Sequence, residues 1–270
     1  MLKKIIYILI YNIFKRDIHK RSKKGSLLSI VKKISVNSKK RHTIHKIKIN
    51  GNIVEYTDNE SFIAMYKEIF EHEIYNFNCK TDVPKIIDCG ANIGLSIMYF
   101  KKKFPNAKIT AFEADPLIFN VLKNNISNAN LTNISIIQKA LWNEETTILF
   151  NSDNSDGGHI SNNSKEGIKV ETIRLSKYIN EKIDFLKIDI EGAELEVLQE
   201  CKDKLHFVDK VFVEYHSFKN RKQDLNEILN ILSANDFRYF IDNLWNIESP
   251  FVEKLSDTIH NNLLNIFAWK

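Results

Sequence analysis

The stretch Lys85-Ile86-Ile87-Asp88-Cys89-Gly90-Ala91-Asn92-Ile93-Gly94 decides the architecture. A short apolar run closes on an acid. Two glycines then lead into residues 94–104, where apolar positions recur at helical spacing. A buried strand that turns through glycine into a helix begins a strand–helix–strand crossover, and glycine there lets backbone and ligand approach closely. Further strand-like runs follow at Lys108–Glu113, Ile134–Leu141, Ile183–Asp189, Lys210–His216, Phe237–Asp242 and Leu264–Trp269. Amphipathic helices are predicted over 94–104, 116–128, 191–205 and 222–235. Such alternation predicts an α/β, Rossmann-like chain: a mostly parallel seven-stranded sheet with helices on both faces. Residues 142–182 interrupt the rhythm with a loop around 153–158, flanked by short strands near 146–150 and 168–174. Upstream, residues 46–56 alternate about Asn50-Gly51, which predicts a hairpin. Asp58 or Ser61 is placed to cap a helix reaching about Tyr75.

The glycine spacing departs from Gly-x-Gly-x-x-Gly, and Asp88 stands where a dinucleotide would bring its pyrophosphate. That disfavours NAD. It favours a cofactor with a cationic aminoacyl end and no phosphate, as in S-adenosylmethionine. The second strand ends Phe112-Glu113-Ala114-Asp115-Pro116. An acid there can accept both ribose hydroxyls, so Glu113 is assigned to the ribose. Asp115, followed by proline at the first helical position, is assigned to helix capping. The third run places the backbone of Ala140 and the side chain of Leu141 beside the adenine, although Leu141 reads equally well as plain core.

Side chains alternate along a strand, so Lys187, Asp189 and Glu191 share one side near the end of the fourth run. Phe212, Glu214 and His216 share one side of the fifth. Polar groups on strands otherwise so apolar need partners or a task. Asp189, Glu191, Glu214 and His216 can form a base and its orienting group, hold one divalent cation through oxygen ligands, or make a structural ion-pair net around Lys187. Glu194 and Glu196 are expected on the following helix, facing solvent.

The net charge of +5 conceals an asymmetry. Residues 1–48 carry 15 Lys/Arg and one acid, Asp17, whereas the remainder carries 24 bases and 33 acids. Residues 5–14 are apolar, but a membrane-spanning helix needs about 20 such residues. Lys15, Arg16 and Asp17 follow where a signal peptidase would need small residues, so secretion is not expected. Residues 1–45 therefore read as a basic amphipathic helical extension, with 46–270 as the catalytic domain. The extension suits an anionic membrane surface, and equally an arm packed on the body. The expected location is cytoplasmic, peripheral at the inner face of the membrane. The three cysteines lack metal-ligand spacing and read as buried apolar residues.

Taken together, Ile87–Gly94, Phe112–Pro116, Asp184–Glu194 and Val213–His216 resemble the FkbM-type methyltransferase family over roughly residues 50–240. The resemblance implies a class I methyltransferase fold, S-adenosylmethionine as donor, and O-methylation, often of sugar hydroxyls. It carries Asp88, Gly90, Asn92 and Gly94, with Ala91 between them, onto the cofactor loop, Glu113 onto the ribose acid, and Asp189 and Glu191 onto the acidic motif after the fourth strand. One departure is Ser176, where the family commonly has Asp after Leu175; serine is expected to cap there instead. The resulting expectation is a methyltransferase acting on a sugar hydroxyl of a bacterial surface glycan or its lipid-linked precursor. Its rivals are an RNA methyltransferase holding phosphates on the basic arm and a non-catalytic membrane-associated scaffold. Nucleic acid is the weaker partner, because no Asn/Asp-Pro-Pro-Tyr loop follows the fourth strand.

Overall fold

The structure, a computed structural model, describes residues 43–49, 51–151, 159–160, 167–219, 221–244, 251–252 and 260–270. The basic segment up to residue 42 lies outside them, and so does the expected loop at 153–158.

Strands β1 (His45–Ile49) and β2 (Asn52–Tyr56) form the expected antiparallel hairpin, with Gly51 at φ +90° in its turn. Asp58 caps helix α1 (Asn59–Tyr66), accepting from the backbone N–H groups of Glu60 at 3.0 Å and Ser61 at 2.9 Å. The helix does not run on to Tyr75. It passes into one π-helical turn, Lys67–Glu71, and Glu73 at φ +53° then turns the chain. That bend carries Tyr75 and Phe77 into the core, where Tyr75 meets Phe212 edge-on at 5.0 Å and Phe77 stacks on Phe185 at 4.7 Å. Aromatic packing of this kind outweighs helical propensity.

The chain continues through β3 (Lys85–Cys89), α2 (Leu95–Lys103), β4 (Lys108–Phe112), α3 (Pro116–Asn128), β5 (Ile134–Ile137), β6 (Ala140–Leu141), β7 (Thr147–Asn151), β8 (His159–Ile160) and β9 (Ile168–Ile173). It ends with β10 (Phe185–Ile188), α4 (Glu194–Cys201), β11 (Lys210–Phe218), α5 (Leu225–Ala234), β12 (Arg238–Asn243) and β13 (His260–Trp269). All seven predicted runs enter one sheet of order β12-β13-β11-β10-β3-β4-β5. The pairings β11–β10–β3–β4–β5 are parallel, and β13 runs antiparallel between β11 and β12. This is the class I methyltransferase arrangement. Parallel strands covered on both faces are predominantly apolar, which explains the runs Ile86-Ile87 and Phe185-Leu186.

One run divides. Ile134–Leu141 is not one strand: β5 stops at Ile137, and β6 pairs with Thr172 and Ile173 of β9 in a second, four-stranded sheet. β5 is the edge of the main sheet, so the chain is free to leave it, and Lys139 is held across by Glu171 of β9 at 2.9 Å.

The chain winds to one side of β3 through β4 and β5, then returns to the other side as β10 and β11. The order therefore reverses between β3 and β10, and ligands of open parallel sheets bind beyond the carboxyl ends of strands at such a point. Buried Asn125 of α3 ties the hairpin to that end: its amide donates to the carbonyls of Glu55 (2.9 Å) and Ile93 (2.8 Å) and accepts from Glu55 N–H (2.7 Å). No helix among the described residues is long and apolar enough to cross a membrane.

Candidate active site

The glycine loop after β3 spends its own amides. Gly90 and Ala91 donate to Phe112 carbonyl at 3.1 and 2.8 Å, and Gly94 donates to Ala91 carbonyl at 2.9 Å. Asn92 N–H donates to Glu113 Oε2 at 2.9 Å, and Ile93 N–H to Asn92 Oδ1 at 2.6 Å. A pyrophosphate would need these donors free. Their internal use fits a cofactor without phosphate, as the glycine spacing predicts. Gly90 has φ +82°, and a Cβ there would lie 1.8 Å from the Asp189 carbonyl oxygen. Glycine at this position thus lets the loops after β3 and β10 touch.

Asp88 is fully buried behind that loop, not open to it. Its Oδ2 accepts from Ser96 Oγ at 2.5 Å, and its Oδ1 faces Lys187 Nζ at 3.4 Å. Lys187 donates to Gly90 carbonyl at 2.8 Å and pairs with Asp189 at 3.1 Å. Burial pushes its ammonium pKa down, but the carboxylates of Asp189 and Asp88 raise it well above the usual value, so it stays a cation. Asp88 and Lys187 hold the loop's shape from beneath.

Glu113, one residue past β4, closes the other flank. Its carboxylate accepts from Asn92 N–H and, at 2.8 Å, from Asp115 N–H. Burial pushes its pKa up to about 7, against the opposing effect of those two N–H groups. Asp115 does cap α3, accepting from Leu117 N–H at 2.7 Å and Ile118 N–H at 3.1 Å. Ala114 is half-buried between them. Ala140 and Leu141 are buried in β6, with Leu141 in the same apolar cluster as Phe112.

The acidic cluster assembles at the ends of β10 and β11. His216 is buried, and its Nε2 lies 3.4 Å from Glu191 and 3.6 Å from Glu214. Glu191 reaches it from a left-handed backbone, φ +56°, followed by Gly192 at φ +94°. A non-glycine residue so placed stores strain that the surroundings must hold, a frequent property of functional loops. Asp189, Glu214 and His216 each bring one ligand-type atom to within 4.8 Å of the others. Burial alone would lower the imidazole's pKa; the carboxylates of Glu191 and Glu194 outweigh it and hold His216 protonated well above the usual range. Burial, reinforced by the charge of Asp189, also lifts Glu214 well above ordinary carboxylates.

Two expectations are corrected. Glu194 is not solvent-facing: it is 2% exposed, and its Oε1 meets His216 Nδ1 at 3.0 Å. At the first position of α4, it folds back over its own entry loop, where helical spacing alone would have turned it outward. Ser176 is not a cap. It lies inside the 3₁₀ turn Leu175–Tyr178, where its N–H (3.0 Å) and hydroxyl both donate to Glu200. Sequence reasoning also missed Tyr75. Its ring is buried, with Lys187 Nζ 5.8 Å from its centroid, and burial raises its phenol pKa well above the usual value. No local signal marks it, because only the bend after the π-helical turn brings it to the site.

Comparison with known proteins places these features in company. A family model described as the methyltransferase FkbM domain matches residues 88–239. Methyltransferase sdnD of Sordaria araneosa is 33% identical over 173 residues, covering 50% of this chain and 67% of its own. Methyltransferase 1 of Beauveria bassiana (strain ARSEF 2860) is 27% identical over 202 residues, covering 63% of this chain and 81% of its own. A crystal structure of methyltransferase FkbM from Methylobacillus flagellatus KT is similar at 19% identity and a TM-score of 0.47; the match covers 73% of this chain and 46% of that one.

Proposed function

The chain belongs to the FkbM family of S-adenosylmethionine-dependent methyltransferases, and on that premise we propose that its acceptor is a sugar hydroxyl, on a surface glycan or its lipid-linked precursor. The observation that carries this reading is the acid-rich end of β10 and β11: Asp189, Glu191, Glu194 and Glu214 around one imidazole. Carboxylates accept hydrogen bonds from hydroxyls and repel phosphates. That favours a polyhydroxylated acceptor over RNA.

S-adenosylmethionine supplies a methyl group on a sulfonium, which leaves as a neutral thioether. Glu113 would accept from the ribose hydroxyls, and the loop from Asp88 to Gly94, braced by Lys187, would form the floor. Ala140 and Leu141 would stand by the adenine. On the acceptor side, Asp189 and Glu191 orient the hydroxyl, and the carboxylate of Glu214, a stronger base than an ordinary carboxylate, takes its proton beside the His216 cation. The oxygen keeps the electron pair that forms the new bond to carbon. Positioning two reactants this way supplies much of the acceleration.

A second reading rests on the spacing of Asp189, Glu214 and His216. A divalent cation held there would lower the hydroxyl's pKa directly. Added EDTA separates the two: activity that survives it supports proton transfer by side chains, and activity restored only by a divalent metal supports the cation.

Calorimetric titration with S-adenosylhomocysteine tests the donor side. Micromolar affinity that collapses in Glu113→Ala is expected; no binding by folded wild-type protein would overturn the reading. Transfer of a labelled methyl group to simple glycosides, and none to RNA, is expected in the same preparation. Labelled RNA would overturn the sugar assignment.

A further inference from the structure

One oxygen atom at the N-terminus of α4 has three partners. Glu194 Oε1 accepts from Gly192 N–H at 2.9 Å and Ile190 N–H at 3.3 Å, and it faces His216 Nδ1 at 3.0 Å. The side chains of Glu194 and His216 are each 3% exposed, so water competes little for either. The two backbone donors bracket Glu191, the left-handed residue whose carboxylate reaches the opposite ring nitrogen of His216. From outside, Arg221 Nη1 donates to Gly192 carbonyl at 2.9 Å, and a Cβ on Gly192 would lie 2.4 Å from the Phe218 ring.

We propose that Glu194 is the positioning residue of the transfer site, its one carboxylate setting both the imidazole of His216 and the loop that carries Glu191. The inference rests on the assignment of His216 to the transfer site. A carboxylate on Nδ1 keeps a proton there and turns Nε2 inward, toward Glu191, Glu214 and Asp189. This is the role of an orienting acid behind a working imidazole, whether the imidazole moves a proton or holds an ion. The same oxygen stabilises the strained turn at Glu191 through the N–H groups on either side of it. Loss of Glu194 therefore disturbs the ring and the loop together. Glu194 itself does not touch acceptor or donor.

The test uses the full chain, labelled with ¹⁵N-histidine and saturated with S-adenosylhomocysteine. The His216 resonances are identified by their loss in His216→Gln. In wild-type protein a low-field proton on Nδ1 is expected. In Glu194→Gln that signal should move upfield or disappear while S-adenosylhomocysteine affinity stays within about twofold. On a glycoside that accepts methyl, kcat should fall about 10²-fold or more with KM little changed, and Glu194→Asp should recover part of it. An unprotonated Nδ1 in wild type overturns the proposal, as does a Glu194→Gln spectrum identical to wild type. Should Glu194→Gln fail to fold, the wild-type Nδ1 state decides. Failure to methylate any glycoside, with the Nδ1 signal present, counts against the sugar assignment and leaves the role of Glu194 standing.

Discussion

His216, at the end of β11, is assigned to the acceptor side and Glu113, just past β4, to the donor side, so their variants should separate binding from chemistry. His216→Ala should leave S-adenosylhomocysteine affinity nearly intact and lower turnover by about 10²–10⁴; unchanged turnover removes His216 from the mechanism. Glu113 gives the opposite pattern with pH. Its carboxyl titrates at about 7 in the folded chain, because burial disfavours the anion. The anion is the better acceptor for ribose hydroxyls, so affinity for S-adenosylhomocysteine should tighten as pH rises toward 7. The gain should approach about tenfold per pH unit below that value and level off above it. Calorimetry from pH 5.5 to 8.5 checks this, and a flat profile would show that the carboxylate does not meet the ribose. For the protein without cofactor the sign reverses. A folded pKa above the unfolded one contributes stability that is fully present below about 4.5 and is lost as pH rises through about 7.

At the scale of elements, one serine ties the 3₁₀ turn Leu175–Tyr178 to helix α4. The hydroxyl and N–H of Ser176 both donate to Glu200. An aspartate there would set one carboxylate against another. Ser176→Asp should therefore destabilise the fold by about 1–3 kcal/mol, read as a lower urea midpoint at neutral pH. Glu200→Gln should recover part of the loss, since it removes the like charge. A Ser176→Asp chain as stable as wild type would mean the two side chains move apart without cost. The other correction at this scale has the same origin. The capping signal at Asp58 or Ser61 predicts a helix reaching about Tyr75. Instead, the aromatic contacts of Tyr75 and Phe77 with Phe212 and Phe185 draw the chain inward after the π-helical turn.

For the molecule as a whole, charge is unevenly divided between the first 48 residues and the rest. If the basic segment holds an anionic surface, removing residues 1–44 should abolish co-sedimentation with phosphatidylserine-containing vesicles and leave S-adenosylhomocysteine affinity unchanged. Equal binding by the truncated chain would place the membrane contact elsewhere. The acidic body should itself bind RNA poorly, and any affinity of the full chain should fall steeply with added salt.

Much of this protein was legible in its residues. Short apolar runs such as Ile86-Ile87, bounded by a glycine turn, read as strands covered on both faces, and their alternation with amphipathic helices leaves few sheets to build. The asymmetric glycine spacing, with an acid before it, already argued against a phosphate-bearing cofactor. Period-two alternation placed Glu214 and His216 on one side of β11. Those readings rest on local periodicity and local backbone freedom, which a chain carries with it. What only tertiary structure decided depends on contacts between residues distant in sequence. Asp88 reads as part of the cofactor loop, and only the fold brings Lys187, 99 positions later, to 3.4 Å from its carboxylate. Glu194 reads as a solvent-facing helical residue until β11 brings His216 to within 3.0 Å. A carboxylate's surroundings set whether it is exposed, paired or proton-bearing, and in a parallel sheet those surroundings come from crossovers that no local pattern records.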